Sequence, residues 1–276
     1  KAAKWIRPFL MGDEFINNIP RWCLWLVECP PNELRAMPEV MERVKSVKTM
    51  RTASAKASTI ALAGSPQNFG ELRQPKSQYL LIPSVSSERR EYVPIGYIDS
   101  EVIVSNAVYA LPNATLFHFG IMTSAMHNAF MRFTCGRLES RFRYSNTIVY
   151  NNYPWPGLAG EPLSDKHRTT IEQAAQCVLD ARAQFASSSL ADLYDPLTMP
   201  PALLKAHQKL DTAVDAAYQP SGGKKTYATD AERVAFLFDL YQRITSLLPV
   251  PARKNKKKID TKLTDTFPAG SANKKR

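Results

Sequence analysis

Apolar residues in the first 157 positions fall into short runs that Pro, Gly and Ser interrupt, a pattern typical of short strands joined by turns. The pattern predicts strands at residues 21–27, 79–82, 92–98 and 102–111. Two longer stretches have apolar residues at spacings of three and four, which predicts helices. One begins at Asn32, a suitable N-cap, and continues through Val47, and the other covers residues 115–133. Residues 59–75, with two Gly and two Pro, predict a loop.

Residues 137–144 show the clearest alternation of charged and apolar side chains. The odd positions hold Arg137, Glu139, Arg141 and Arg143, and the even positions hold Leu138, Ser140, Phe142 and Tyr144. Because side chains alternate faces along a strand, we predict one extended strand with three guanidinia and a carboxylate on one face. The other face is largely apolar. Two prolines in residues 151–156 end the pairing.

After residue 157 the pattern changes to helical periods. Helices are predicted at residues 165–186, 200–218 and 230–247. Ser164 and Thr229 are the predicted N-caps of the first and third helices, and Pro249 ends the third. Asp211 and Asp215 stand four residues apart on one face of the second helix. Flanking Lys and His residues favour a solvated face there over a metal site.

These elements predict an α+β protein. We expect a mixed strand and helix domain at residues 1–157, a small all-helical unit at residues 158–250, and a basic, disordered tail at residues 251–276. The tail holds nine Lys or Arg and two Asp, so it carries +7 of the net charge of +11. Such a tail favours polyanions through counterion release, or it only solvates the end of the chain.

The sequence lacks the patterns of the common catalytic sites. It contains no GxSxG, HExxH, P-loop or GxGxxG motif, and its four His residues are scattered. The four Cys residues form no CxxC pair, which is typical of reduced thiols in a cytosolic protein. No apolar run approaches the length of a membrane span. We therefore expect a cytoplasmic protein with no membrane partner, and a self-contained enzyme is disfavoured.

The Arg and Glu residues of segment 137–143 carry complementary hydrogen-bonding groups. Arg offers a planar fork of donors, and ionised Glu only accepts. Such a pair can bind guanine O6 and N7 and cytosine N4 in a DNA major groove, but a solvated strand face is the alternative. Hydroxyls and guanidinia also suit phosphate contacts, which position a protein without reading bases. The candidates for phosphate contacts are Ser84, Ser86, Ser87, Arg89, Arg90 and Arg137.

Several segments, in the same order, resemble the C-terminal part of the MmeI-like family of type IIL restriction-modification enzymes, within type IIG. The matching segments are residues 5–9, 12–15, 21–26, 83–90, 92–96, 105–109, 135–145 (CGRLESRFRYS), 150–156, 210–218 and 231–241. The resemblance covers residues 4–247. Members of that family are single chains with a nuclease, an adenine-N6 DNA methyltransferase, a target recognition domain and a C-terminal helical region.

The resemblance implies a module that reads the sequence of double-stranded DNA. Its base contacts would come from Asn106, Ala107, Glu139, Arg141 and Arg143. Glu139 with Arg141 would select one base pair. Arg143 with Ala107 would select another, with help at a third from Asn106.

The resemblance also implies that the catalytic part lies elsewhere. The family's Asn-Pro-Pro-Tyr motif and its S-adenosylmethionine-binding glycines do not occur in this sequence, so we expect no cofactor in this fragment. S-adenosylmethionine would bind an N-terminal methyltransferase domain of the same parent chain. That domain is the second expected partner, besides double-stranded DNA.

A different class of function stays open. The chain would then be a non-catalytic RNA-binding or protein-interaction module, with a charged strand that is only solvated and a tail that binds polyanions generally. Duplex binding distinguishes the two hypotheses. A DNA-reading module has a sequence preference that Arg141→Ala relaxes at one position, whereas in the alternative module this change weakens binding uniformly, if at all.

Overall fold

The computed structural model describes residues 1–158 and 162–246 of the chain. In these ranges the strands are β1 (Ile6–Leu10), β2 (Trp22–Leu24), β3 (Tyr79–Pro83), β4 (Val85–Ser86), β5 (Gly96–Ile98), β6 (Ile103–Val104), β7 (Val108–Pro112), β8 (Gly136–Leu138) and β9 (Arg141–Arg143). The α-helices are α1 (Gly12–Asn17), α2 (Pro31–Arg35), α3 (Pro38–Thr52), α4 (Ala57–Ala61), α5 (Leu116–Thr123), α6 (Ala125–Thr134), α7 (Asp165–Ala183), α8 (Leu190–Leu193), α9 (Pro201–Ala217) and α10 (Asp230–Thr245). The predicted tail and the predicted helix end at Leu247 and Pro249 lie outside the described residues.

The strands form small three-stranded sheets in the orders β2-β1-β6, β5-β3-β7 and β4-β9-β8. The pairing of β1 with β6 is parallel, and the other pairings are antiparallel. All five residues of β3 are buried, because β3 has a partner strand on each edge and apolar side chains on both faces. With helices before, between and after these sheets, the fold is α+β as predicted.

One hydrophobic core joins the strand-rich part of the chain to the helices that follow it. It contains buried residues of β3, α5, α6, α7, α9 and α10. Gly120 of α5 lets two helices approach closely, since an added Cβ there would lie 2.8 Å from Cγ2 of Ile171 on α7. A boundary at residue 157 stays a prediction, because the same core contains residues from both sides of it.

Two predicted continuous helices are each broken in two. The helix expected from Asn32 through Val47 consists of α2 and α3, and Asn32 lies inside α2 rather than capping it. Pro38 starts α3, and a proline disfavours helical backbone at the residue before it. The helix expected at residues 115–133 breaks at Ser124, which has extended backbone. Its hydroxyl donates to the carbonyl of Ile121 and accepts from the amide of His127, so it caps α6.

Four loop and strand predictions also need correction. Residues 92–98 form a strand only at β5, since Pro94 has no amide to pair. Residues 102–111 are β6 and the start of β7, with a turn at residues 105–107 between them. Residues 59–75 are not all loop, because α4 and a 3₁₀ turn at Leu62–Gly64 occupy their start. The predicted strand at residues 21–27 is confirmed only for β2.

The predicted helices after residue 157 are confirmed within a few residues as α7, α9 and α10. The hydroxyl of Ser164 accepts from the amide of His167, and the hydroxyl of Thr229 accepts from the amide of Glu232, so both predicted N-caps are correct. The short helix α8 was not predicted.

The solvated face predicted for Asp211 and Asp215 on α9 is wrong. The carboxylate of Asp211 accepts from the Tyr92 hydroxyl and from the Ala125 amide at the start of α6, both at 2.7 Å. Burial raises the pKa of Asp211 to about 6. Asp215 is buried and accepts from Arg233 at 3.3 Å. The partners of Asp211 come from more than 80 positions earlier in the chain, so the periodicity of one helix cannot reveal them.

Candidate nucleic-acid interface

Residues 136–143 form a β-hairpin and not the single extended strand that their alternation predicts. Strands β8 and β9 pair Gly136 with Arg143, Arg137 with Phe142 and Leu138 with Arg141. Glu139 and Ser140 are therefore the two turn residues. Glu139 has a φ of 57°, in the left-handed region that the favoured two-residue hairpin turns need at their first position. Residues other than glycine seldom adopt this backbone conformation, because it is strained for them. Strained backbone of this kind is concentrated at functional sites.

The hairpin distributes its charged side chains over two faces. Residues directly opposite each other in an antiparallel pair point to the same face. Arg141, Arg143 and Leu138 therefore share one face, and Arg137 lies on the other with Phe142. The predicted face with three guanidinia is wrong.

Arg137 has a local packing role on its face of the hairpin. Its guanidinium carbon lies 4.0 Å from the centre of the buried Phe142 ring, and its Nη1 donates to the carbonyl of Ser140 at 2.9 Å. These contacts stabilise the turn from one side. On the opposite face, the exposed guanidinia are those of Arg141 and Arg143.

Glu139 and Arg141 form an ion pair at the tip of the hairpin. Nη2 of Arg141 donates to Oε2 of Glu139 at 2.8 Å, and the two side chains are 46% and 76% exposed, Arg141 and Glu139 respectively. An exposed pair of this kind contributes about 1 kcal/mol or less, so either partner can exchange it for a stronger partner at little cost. The arrangement keeps one guanidinium fork and one carboxylate side by side in solvent.

Ser84 connects the hairpin to a second exposed turn. Its amide and its hydroxyl both donate to the carbonyl of Ala107, at 3.3 Å and 2.5 Å. Its own carbonyl accepts from the amide of Tyr144, the residue after Arg143, at 2.8 Å. One residue therefore holds two segments together that are more than 30 positions apart in the chain, next to the start of β4.

Ser105 shapes this second turn, and sequence reasoning did not single it out. Its amide donates to the carbonyl of Leu10 at 3.0 Å, which ties the turn to β1. Its hydroxyl accepts from the amide of Ala107, two residues later, at 3.0 Å. This is the local turn that Ser and Thr favour, so a Ser two positions before Ala107 was the available signal. The exposed residue of the turn is Asn106.

The predicted phosphate-contacting residues are dispersed. Ser86 is only 4% exposed and pairs with Phe142 inside the sheet, and the Ser84 hydroxyl is occupied by Ala107. Ser87 and Arg89 lie in the loop after β4, where Arg89 is exposed. Arg90 is half-buried, and burial lowers its pKa while the nearby Asp195 opposes that effect. Arg89 and Arg90 line a cavity of about 380 Å³ together with Tyr194, the residue after α8, and Leu204 of α9.

The histidines and acidic residues form no recognisable metal centre in the described ranges. His127 is buried against the Tyr144 hydroxyl at 3.3 Å, and His207 is buried against the Tyr194 hydroxyl at 2.8 Å. No group of three His, Cys, Asp or Glu residues in the described part of the chain could hold a metal ion. None of the helices within residues 1–158 and 162–246 is long and apolar enough to cross a membrane.

Comparisons with known proteins match both parts of the chain. Residues 1–157 match the family model "MmeI, target recognition domain", and residues 163–249 match "MmeI, C-terminal domain". This chain belongs to the MmeI family. The solved structure of the type IIL restriction-modification enzyme MmeI in complex with DNA is 49% identical to it, with a TM-score of 0.84. That match covers 89% of this chain and 32% of the other chain.

A curated relative supports the same membership. DNA methyltransferase A of Bacillus subtilis (strain 168) is 36% identical over 245 residues, which is 89% of this chain and 27% of the relative. This member of the MmeI family therefore spans about a third or less of the length of these two relatives. The resemblance seen in the sequence is confirmed.

The predicted base readers lie in the β8–β9 hairpin and in the turn at residues 105–107. Glu139 and Arg141 are at the tip of the hairpin, and Arg143 is at the far end of β9. Asn106 and Ala107 belong to the second turn. Ser84 holds this turn next to that end of β9 through its hydrogen bonds with Ala107 and Tyr144. The fold therefore brings together residues from two distant segments. Their roles as base readers stay a prediction.

Proposed function

We propose that this chain is the DNA sequence-reading part of a site-specific DNA methyltransferase. The observation that carries the proposal is the exposed face of the β8–β9 hairpin, on which Arg141 and Arg143 stand beside the carboxylate of Glu139. A two-stranded β-ribbon fits into the major groove of B-DNA, where each base pair presents its own pattern of donors and acceptors. The match of residues 1–157 to the family model "MmeI, target recognition domain" supports this role for the hairpin.

The chemistry of the hairpin tip suits one G·C pair. The fork of Arg141 can donate to guanine O6 and N7, and Glu139 can accept from cytosine N4. In the free protein the two side chains satisfy each other at 2.8 Å. On binding, both side chains would exchange that contact for contacts with the two bases of one pair. Their proximity therefore suits them to a single base pair.

The neighbouring turn extends the contact to further base pairs. Arg143 would read a second pair, and Ala107, held next to it by Ser84, has too small a side chain to obstruct the guanidinium. Asn106 is exposed in the same turn and offers an amide that can bind adenine N6 and N7 or assist at a third pair.

Phosphate contacts would come from the loop after β4. Arg89 is exposed and Ser87 is half-buried in this loop, and Arg90 lines a cavity beside them. Ser84, Ser86 and Arg137 would act indirectly, because Ser84 holds the second turn, Ser86 is buried and Arg137 packs on Phe142.

The catalytic partner would be a methyltransferase domain in the same parent chain. The two relatives are about three times as long as this chain or longer, which leaves room for such a domain. We propose that this domain binds S-adenosylmethionine, methylates adenine N6 in the sequence that the present residues select, and acts on DNA in the cytoplasm.

The test is the selection of bound duplexes from a random DNA pool at a salt concentration of about 0.15 M, at which screening already weakens contacts with phosphate. The wild-type chain is compared with Glu139→Ala/Arg141→Ala. The matched control is Glu71→Ala/Arg73→Ala, which removes an exposed ion pair with the same residue types and spacing.

The proposal expects wild type and control to enrich the same short motif, and the hairpin variant to lose its preference at one position. If wild-type protein binds DNA but enriches no motif, the chain is a general polyanion binder and the proposal is wrong. If the control loses the same position as the hairpin variant, the assignment of Glu139 and Arg141 is wrong.

A further inference from the structure

Leu138 is an exposed apolar side chain on the charged face of the hairpin. It is 42% exposed and is the direct cross-strand partner of Arg141. The remaining positions of that face are Gly136, which has no side chain, and Arg143. Leu138 thus shares this face of the hairpin with two guanidinia. The next apolar residue on the same face of the sheet is Val85 of β4, which is opposite Arg143 and two strands away from β8.

The packing needs of the hairpin do not explain this leucine. The side chain that anchors the hairpin to the core is Phe142, which is buried and points to the other face. Directly opposed side chains in an antiparallel pair are about 5 Å apart at Cβ. Whatever surface Arg141 contacts therefore also comes within reach of Leu138.

We propose that Leu138 contacts the C5-methyl group of a thymine next to the base pair read by Arg141. This inference rests on the proposed function, because it takes the Arg141 face to be the one that enters the major groove. In unmodified DNA that groove presents donors and acceptors at every base pair, and its one apolar group is the thymine methyl. A leucine beside a base-reading arginine matches that group, so Leu138 adds a preference for thymine at one position.

The experiment removes the methyl group and leaves the rest of the base unchanged. In the duplex enriched by the wild-type chain, each thymine is replaced in turn by deoxyuracil, which keeps the same hydrogen-bonding groups. Burial of one methyl group corresponds to about a fourfold change in affinity. We expect the wild-type protein to bind about fourfold more weakly when one thymine, adjacent to the position that depends on Arg141, loses its methyl group.

Protein variants then connect that methyl group to Leu138. The Leu138→Ala variant should bind the thymine and deoxyuracil duplexes equally. The matched control Leu197→Ala, which truncates a leucine that is 83% exposed and lies outside the hairpin, should keep the fourfold difference. The wild-type comparison alters only the DNA, so it stays valid even if a variant folds poorly.

Three results would overturn the inference. One is a motif with no thymine beside the Arg141-dependent position, and another is equal binding of thymine and deoxyuracil duplexes by wild type. The third is a thymine preference that survives in Leu138→Ala. If the enriched motif still depends on Arg141, each of these results contradicts only the role of Leu138, and the proposed function is retained. If no motif is enriched, the role of Leu138 and the proposed function are both wrong.

Discussion

The guanidinium of Arg137 packs on the ring of Phe142, with its central carbon 4.0 Å from the ring centre. This contact places Arg137 on the opposite face of the β8–β9 hairpin from Arg141 and Arg143. Three arginines at odd-numbered positions of one segment thus have different roles. One supports the hairpin, and two are available to a partner.

Arg143→Ala and Arg137→Ala should therefore have different effects on DNA selection. Removing Arg143 should relax one base position by about 1–3 kcal/mol of discrimination, because a base edge loses its bidentate donor. Removing Arg137 should leave the motif unchanged and lower the stability of the chain, since Phe142 and the Ser140 carbonyl lose a partner. Duplex selection and urea unfolding of both variants measure the two effects. Identical selection profiles for the two variants would contradict the division of faces.

Ser84→Ala should disturb the second turn more than the hairpin. The variant loses the hydroxyl bond to the Ala107 carbonyl, which contributes about 1 kcal/mol, but it keeps the backbone bonds to Ala107 and Tyr144. We expect weaker discrimination at the position that depends on Asn106, and an unchanged preference at the one that depends on Arg141. Ser77→Ala is the control, because it removes an exposed hydroxyl that bonds Asn113. Equal losses at both positions would show that Ser84 does not act through its turn.

Asp211→Ala should destabilise the chain strongly. The change leaves the Tyr92 hydroxyl and the Ala125 amide without their acceptor, and an unsatisfied polar group costs about 1–3 kcal/mol. Asp239→Ala, which breaks a surface ion pair with Arg243 within α10, should cost about 0.5 kcal/mol or less. Urea unfolding midpoints compare the two variants. A similar small loss in both would mean that Asp211 does not join the two parts of the chain.

Mild acid should also destabilise the protein through its buried histidines. Burial lowers the pKa of His127 to about 4, and burial together with the nearby Arg182 lowers the pKa of His207 well below its usual value. Below about pH 6.5 the unfolded chain binds protons at both residues and the folded chain does not, so the free energy of unfolding falls. Asp211 opposes this, because its raised folded pKa of about 6 adds stability as the pH falls from there toward 3.8. Burial also lowers the pKa of His118, which adds to the loss, and raises the pKa of Asp215, which opposes it. Three histidines outweigh two carboxyls, so a net loss remains.

The variant His127→Gln isolates one of these protons. Each proton taken up only by the unfolded chain changes the free energy of unfolding by about 1.4 kcal/mol per pH unit. The difference in stability between wild type and variant should therefore shift by about that amount per unit between pH 6 and pH 5. Urea unfolding of both proteins at these two pH values measures it. A constant difference would contradict the burial of a neutral His127.

Much of this protein was predictable from local pattern and from motif order. The α+β class, the helices α7, α9 and α10, the two N-caps at Ser164 and Thr229, and the family all followed from periodicity, capping residues and collinear segments. Each of these depends on residues within a few positions of one another, or on their order along the chain. Such relationships do not require knowledge of which distant segments meet.

The tertiary structure alone decided which charged side chains share a face. On a single strand, residues of the same parity point the same way. When a two-residue turn reverses the chain, opposed residues have numbers of opposite parity, as in Gly136 with Arg143, so an odd residue of β8 turns away from the odd residues of β9. Tertiary structure also decided the hydrogen bonds of Ser84 with Ala107 and of Asp211 with Tyr92, because each joins two segments that are distant in the chain. Alternation along the chain identified the charged residues, and strand pairing determined their arrangement in space.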